Sequence, residues 1–263
     1  MPPNTLDFDA MFTIDVDLDD PGAAMAAGTV TGDEDAPAPR LAHASTATRW
    51  SGPDVSDHQP SVNWGRVVAA GHRLAVAKAT EGLTWRSKIF PERWKAMRDA
   101  GLVRGAYHFA RPQPGRSGRD EAEFFLSVVD DAGGFRPGDL RPVLDLEAYG
   151  PTPLSPSRTL RWARDFAHEV KAHCGRLPIV YTGAFWRDAM GNPDDGLGCH
   201  LWLAAYVRDP APFVPHAWRE SGWSIWQHTS SGSCPGIPGR CDLNVTRNRD
   251  VIARLRLPAG DHS

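Results

Sequence analysis

With 263 residues, 41% of them hydrophobic, the chain is long enough for one large α/β domain or two small ones. A net charge of −3 and the absence of an 18-residue apolar run argue against a nucleic-acid partner and a membrane span. The mean hides an asymmetry. Residues 1–40 hold nine acidic residues and one basic residue, Arg40, which leaves 28 basic and 23 acidic residues in 41–263. A mildly basic body of this kind suits an anionic polymer.

Residues 1–48 read as an acidic tail or linker, rich in Ala, Gly, Pro and Asp around residues 20–48. The start lacks the basic and apolar parts of a standard signal peptide. The run from Asp15 to Asp20 superficially resembles a calcium loop but lacks its glycine and distal glutamate, so it reads as solvated acid. A single domain is expected over 49–257, with 258–263 as a short C-terminal tail.

Strands are predicted at 50–56, 74–80, 103–110, 142–148, 177–182, 201–207, 223–229 and 241–246. Helices are predicted between the early ones, at 63–70, 91–100, 120–131 and 155–174, with shorter ones at 185–190 and 250–256. The longest carries Ala163, Phe166, Ala167, Val170 and Cys174 as one apolar stripe. Ser155 and Pro156 suit its start and Gly175 its end. After the sixth strand the pattern degrades. Residues 208–220 hold prolines and aromatics without a clear helix, and 230–240 is too rich in Gly and Pro for a crossover helix. The expected fold is therefore α/β: an irregular, flattened β/α barrel of about eight strands with fewer helices, whose last strands pair antiparallel. An open doubly wound sheet is the alternative. No glycine-rich phosphate loop follows any strand to support it.

The run 141–147 ends in Asp145-Leu146-Glu147. Period-two alternation puts both carboxylates on one strand face, with α-carbons roughly 6.5–7 Å apart. Such neighbours push their proton affinities apart, which is the arrangement that acid catalysis at a glycosidic bond needs. A barrel also gathers its reactive residues at the C-terminal ends of its strands. Those ends carry Asp54, Glu81, Tyr107 with His108, Asp145 with Glu147, Tyr181, Tyr206 and Trp226 with Gln227, while the eighth strand begins at Asp242. First and eighth strands are neighbours in a closed barrel, so Asp54 and Asp242 are expected beside Asp145 and Glu147.

The four cysteines match no zinc pattern. Cys234 and Cys241 bracket a turn-rich loop, and a disulfide between them is expected, implying an oxidising compartment. Cys174 and Cys199 stay open between a pair and two buried thiols.

Several runs together resemble the family 25 glycoside hydrolases. They are Asp54-Val55-Ser56 with Gln59 and Trp64; 105–109, Gly-Ala-Tyr-His-Phe; and 142–147, Pro-Val-Leu-Asp-Leu-Glu. Further along come 179–182, 201–206, Trp226-Gln227-His228, Gly236-Ile237 and Asp242-Leu243-Asn244. The resemblance covers roughly residues 50–256. It implies an N-acetylmuramidase, a lysozyme cutting the β-1,4 bond after N-acetylmuramic acid in bacterial peptidoglycan. It implies Glu147 as general acid and Asp145 as its ionised partner, with Asp54 and Asp242 tuning the acid and holding sugar. Tyr107, Tyr206 and Trp226 would line the saccharide subsites; Tyr181 and His108 are expected nearby. No cofactor and no metal are expected, and a monomer acting outside the cytoplasm is. Two other readings stay open: a chitinase-like hexosaminidase, whose further upstream acids are missing before Asp145, and a non-catalytic glycan-binding protein.

Overall fold

The computed structural model describes residues 49–258. The acidic tail, including the run from Asp15 to Asp20, and the last five residues lie outside the described residues. The elements in chain order are β1 (Ser51–Val55), α1 (Trp64–Ala69), β2 (Leu74–Glu81), β3 (Trp85–Arg86), α2 (Phe90–Asp99) and β4 (Val103–Phe109). There follow α3 (Gly118–Asp131), β5 (Val143–Asp145), α4 (Pro156–Cys174), β6 (Ile179–Thr182), β7 (His200–Ala204), β8 (Ile225–Gly232), β9 (Cys241–Thr246) and α5 (Val251–Leu255).

Eight strands close into a barrel in the order β1-β2-β4-β5-β6-β7-β8-β9, and β9 returns to β1. The pairings from β1 through β8 are parallel; β9 runs antiparallel to both β8 and β1. The short β3 is a rim hairpin on β2. The predicted barrel and its antiparallel closing strand are both present, and the doubly wound alternative is excluded by closure. Segment 185–189 is a π-helical turn, and 208–220 holds only two 3₁₀ turns, Ala211–Phe213 and His216–Trp218. No described helix is long and apolar enough to cross a membrane.

Alternation sorts the strands into two cores. Leu74, Val76, Val143, Ile179, Trp202 and Ile225 fill the barrel. Ala75, Ala77, Ala106, Leu144, Val180 and Leu203 face outward beneath the helices. Strands apolar on both faces are what a parallel sheet covered by helices demands. The strand β5 is shorter than predicted, yet Leu146 N–H still donates to the Tyr181 carbonyl at 2.9 Å, so alternation carries on to Glu147.

Helix α3 starts two residues before its predicted position because Ser117 and Asp120 form a reciprocal capping box. Helix α4 ends at Gly175 in the left-handed region, φ 69°, where glycine is least strained. These two helices meet closely at Gly118. A Cβ there would lie 1.9 Å from the Trp162 carbonyl oxygen. Gly118→Ala should therefore force α3 off α4 and destabilise the fold by about 1–3 kcal/mol, the usual range for overpacking. Urea unfolding measures this, and an unchanged midpoint would show that the helices separate freely.

Candidate active site

Phase decides what reaches the barrel mouth. Counting in twos along each strand from its interior residues brings Asp54, Lys78, Tyr107, Asp145, Tyr181 and Gln227 inward at the C-terminal ends. Strand β9 runs the other way, so its first residues reach the same end. Asp242 pairs directly with Asp54 across β1 and β9, and Asn244 with Gly52.

Asp54 and Asp145 are each only 6% exposed, so neither is a solvated strand-end carboxylate. Asp54 Oδ2 accepts from Gln227 Nε2 at 2.9 Å and from Asn244 Nδ2 at 2.8 Å, and its carboxyl is hydrogen-bonded to Asp242. The same glutamine accepts through Oε1 from the Tyr181 hydroxyl at 2.9 Å and the Tyr206 hydroxyl at 2.8 Å. Asn244 accepts in turn from Trp202 Nε1 at 2.8 Å. Gln227 and Asn244 thus orient one acid and two tyrosines with uncharged groups.

Burial pushes the Asp145 carboxyl well above the usual carboxylate range, and the charge of Glu147 pushes it further, against the pull of Lys78. Asp145 Oδ1 is buried with no hydrogen-bond partner among the described residues. Burial raises Asp54 as well, although bonds from Asn244, Gln227 and Asp242 oppose it. Burial and the neighbouring charge therefore favour the protonated form of Asp145 in the resting protein. Glu147 is half-buried and closer to solvent. Tyr107 and Tyr181 are raised first by burial and then by the carboxylates, so both phenols stay neutral donors. Tyr107 lies in the field of all four acids.

Lys78 Nζ contacts Glu81 Oε2 at 2.6 Å and lies 4.8 Å from the Trp85 ring centre. Trp85 and Tyr206 are exposed large aromatics, 37% and 49%, and both sit on segments that leave the mouth end.

The structure thus brings together Asp54, Asp145, Glu147, Asp242, Tyr107, Tyr181 and Tyr206. It does not bring His108 or Trp226. His108 has the phase opposite to Tyr107 and is fully buried beneath α3. Its ring bonds Thr80 Oγ1 and Glu121 Oε2, both at 2.8 Å, and stacks on Phe166. Trp226 has the phase opposite to Gln227, packs in the outer core, and donates to the Ala205 carbonyl at 2.6 Å. The expected disulfide is absent too: Cys234 and Cys241 are both buried free thiols, as is Cys199, with Cys174 half-buried and free. Their loop needs no sulfur link. Gly232 pairs with Cys241 in the ladder, and Asn63 N–H holds the Gly236 carbonyl at 2.8 Å. The sequence placed Gln227 at a strand end and Asn244 in a motif but named neither, nor Lys78 or Trp85, as a site residue. The strand-end position of Gln227, two residues past the interior Ile225, was the available signal.

Folding raises the proton affinity of Asp145, so this residue favours the folded state at acid pH. That contribution is lost as pH climbs from about 4, the unfolded value, through the raised folded value. Asp145→Asn removes the titration. The variant should melt above wild type at pH 8 by at least about 2 °C, roughly 1 kcal/mol in a domain of this size, with the gap closing toward pH 4. Calorimetry across that range checks it; a gap independent of pH would exclude Asp145 as the titrating group.

Residues 53–237 match the family described as "Glycosyl hydrolases family 25". Lysozyme M1 of Streptomyces globisporus is 34% identical over 204 residues, 73% of this chain and 66% of its own length, just under two thirds. The N,O-diacetylmuramidase of a Chalaropsis species is 31% identical over 68% of this chain and 87% of its own. A family GH25 lysozyme structure from Aspergillus fumigatus superposes with a TM-score of 0.69 at 33% identity, covering 81% of this chain and all of that one. The carboxyl-lined barrel mouth, the closing antiparallel strand and these matches agree, and the chain belongs to glycosyl hydrolase family 25.

Proposed function

We propose that the protein hydrolyses the β-1,4 bond between N-acetylmuramic acid and N-acetylglucosamine in bacterial peptidoglycan, acting outside the cytoplasm as a monomer. The observation that carries this reading is the Asp145–Glu147 pair at the mouth of a barrel, with the Asp145 carboxyl pushed up by burial and by its neighbour's charge. Two coupled carboxyls bind one proton more tightly than a lone acid does. Access decides which oxygen delivers it. Glu147 is half-buried, whereas Asp145 lies deeper.

With the proton on Glu147, Asp145 is ionised. Glu147 gives its proton to the leaving glycosidic oxygen as the bond to the anomeric carbon breaks. Asp145 stands beside the positive charge that develops on the sugar. Water completes the exchange, and Glu147 recovers a proton from it. Asp54, fixed by Gln227 and Asn244, and Asp242 beside it keep the mouth rich in acceptors for sugar hydroxyls. The neutral phenols of Tyr107 and Tyr181 supply donors there. Trp85 and Tyr206 offer exposed rings for saccharide faces. The names of the similar proteins, a lysozyme and an N,O-diacetylmuramidase, support the substrate.

Digestion of purified peptidoglycan, with mass spectrometry of the new reducing ends, tests the bond. N-acetylmuramic acid ends are expected; N-acetylglucosamine ends would refute it. Glu147→Gln keeps shape but loses the transferable proton. Its turnover should fall by at least about 10²-fold, the scale of general acid catalysis, with an unchanged melting temperature. Activity within threefold of wild type would remove Glu147 from the role.

A further inference from the structure

The loops after β4 and β5, residues 110–117 and 146–155, leave the barrel at the same end as the acids. They are joined where Gly150 N–H donates to the Pro112 carbonyl at 3.1 Å. Only glycine fits that junction, because a Cβ would meet Gln113 Cβ at 2.9 Å and the Arg111 carbonyl oxygen at 3.0 Å. Between these loops and the start of α4 lies a cavity of about 370 Å³. Arg116, Arg158 and Arg161 line it against one acid, Asp165, with buried Leu154 and Trp162 as its apolar wall.

The charges here are poorly explained by stability. Nearby Arg119 is paired with Glu123 and Glu169, and Arg164 with Asp195. Arg158 and Arg161 form no ion pair among the described residues. Both sit in the first two turns of α4, whose first turn holds no acidic residue. A cation in that place opposes the helix dipole, which favours Asp or Glu. The Ser155 side chain makes no capping hydrogen bond, so the helix start keeps backbone N–H donors open. Three guanidinium groups against one carboxylate around a single cavity, two of them without an ion pair and both near the start of a helix, form a receptor for an anion.

We propose that this pocket binds an oxyanion on the chains that hang from the glycan strand, either a stem-peptide carboxylate or a phosphate of a wall-linked polymer. It would thus grip the wall beside the mouth that cuts the sugar backbone. The inference rests on the wall reading above.

The test compares wild type with Arg158→Gln/Arg161→Gln on four substrates: intact walls, walls stripped of stem peptides by an amidase, walls stripped of phosphate polymers by acid, and bare glycan strands. At about 50 mM salt the variant should need roughly tenfold more intact wall for half-maximal rate, with maximal rate unchanged. Around 0.5 M salt, where exposed charges are screened, the difference should shrink to under about twofold. Its melting temperature should equal or exceed wild type, since an unfavourable charge–dipole contact is gone. A deficit that vanishes on amidase-treated walls identifies the carboxylate, and one that vanishes on acid-extracted walls identifies the phosphate. Equal half-saturation on intact walls at low salt overturns the proposal, as does a deficit that persists on bare strands. A wild type inactive on every preparation would refute the wall reading instead.

Discussion

The direction of β9 governs the chemistry of this barrel. Seven strands run parallel, and their last residues form the mouth. A parallel eighth strand would need a crossover of a dozen or more residues. Only residues 233–240 separate β8 from β9, so the chain turns back and β9 closes the ring antiparallel. Its first residues then lie at the mouth. That is how Asp242 comes to face Asp54, with Asn244 one step deeper in hydrogen-bond contact with it. The shortage of helices late in the chain and the crowding of carboxyls at one end have the same cause.

Carboxyls crowded this way can be stabilised by cations or by neutral donors, with opposite effects on their protons. Glu81 shows the first case. Burial alone would raise it, but bonds and charge from Lys78 and Arg111 hold it below the usual range. Asp54 shows the second case. Its donors, Gln227 and Asn244, are amides, and burial still wins. Asp145 has Lys78 only as an opposing charge, and burial with Glu147 prevails. The barrel thus keeps its guanidinium partner on the rim carboxylate, Glu81, while burial raises the interior acids Asp54 and Asp145. Such a split in proton affinity suits general acid work.

Much of this was legible in the sequence where periodicity is one-sided. The α4 stripe, the glycine stop and the shared face of Asp145 and Glu147 follow from spacing alone. The strand-end rule placed Asp54 and Asp242 together before any coordinate did. Phase was hidden where both strand faces are buried. In β4 the run Gly-Ala-Tyr-His-Phe is equally acceptable in either register, so His108 and Tyr107 look interchangeable. The partners that separate them, Thr80 and Glu121, lie 28 and 13 residues away. Trp226 and Gln227 pose the same ambiguity, and the aromatic residue misled where the amide was the inward one. Lys78 escaped notice because it interrupts an alanine-rich strand as a single charge.

The buried network behind the mouth completes the logic. His108, Thr80 and Glu121 are fully buried on the outer face of the sheet, where a polar group is tolerated only when hydrogen-bonded. Glu121 Oε2 also accepts from the Arg111 backbone N–H at 3.1 Å. One carboxylate on α3 therefore fixes β4 through His108 and fixes the loop after β4 through Arg111. The Arg111 side chain continues to Glu81, and Glu81 to Lys78. A continuous polar chain thus runs from the helical layer to the cation that opposes protonation of Asp145. His108 affects the site by holding the wall in front of it, and the residue beside it in sequence, Tyr107, is the one that faces the acids.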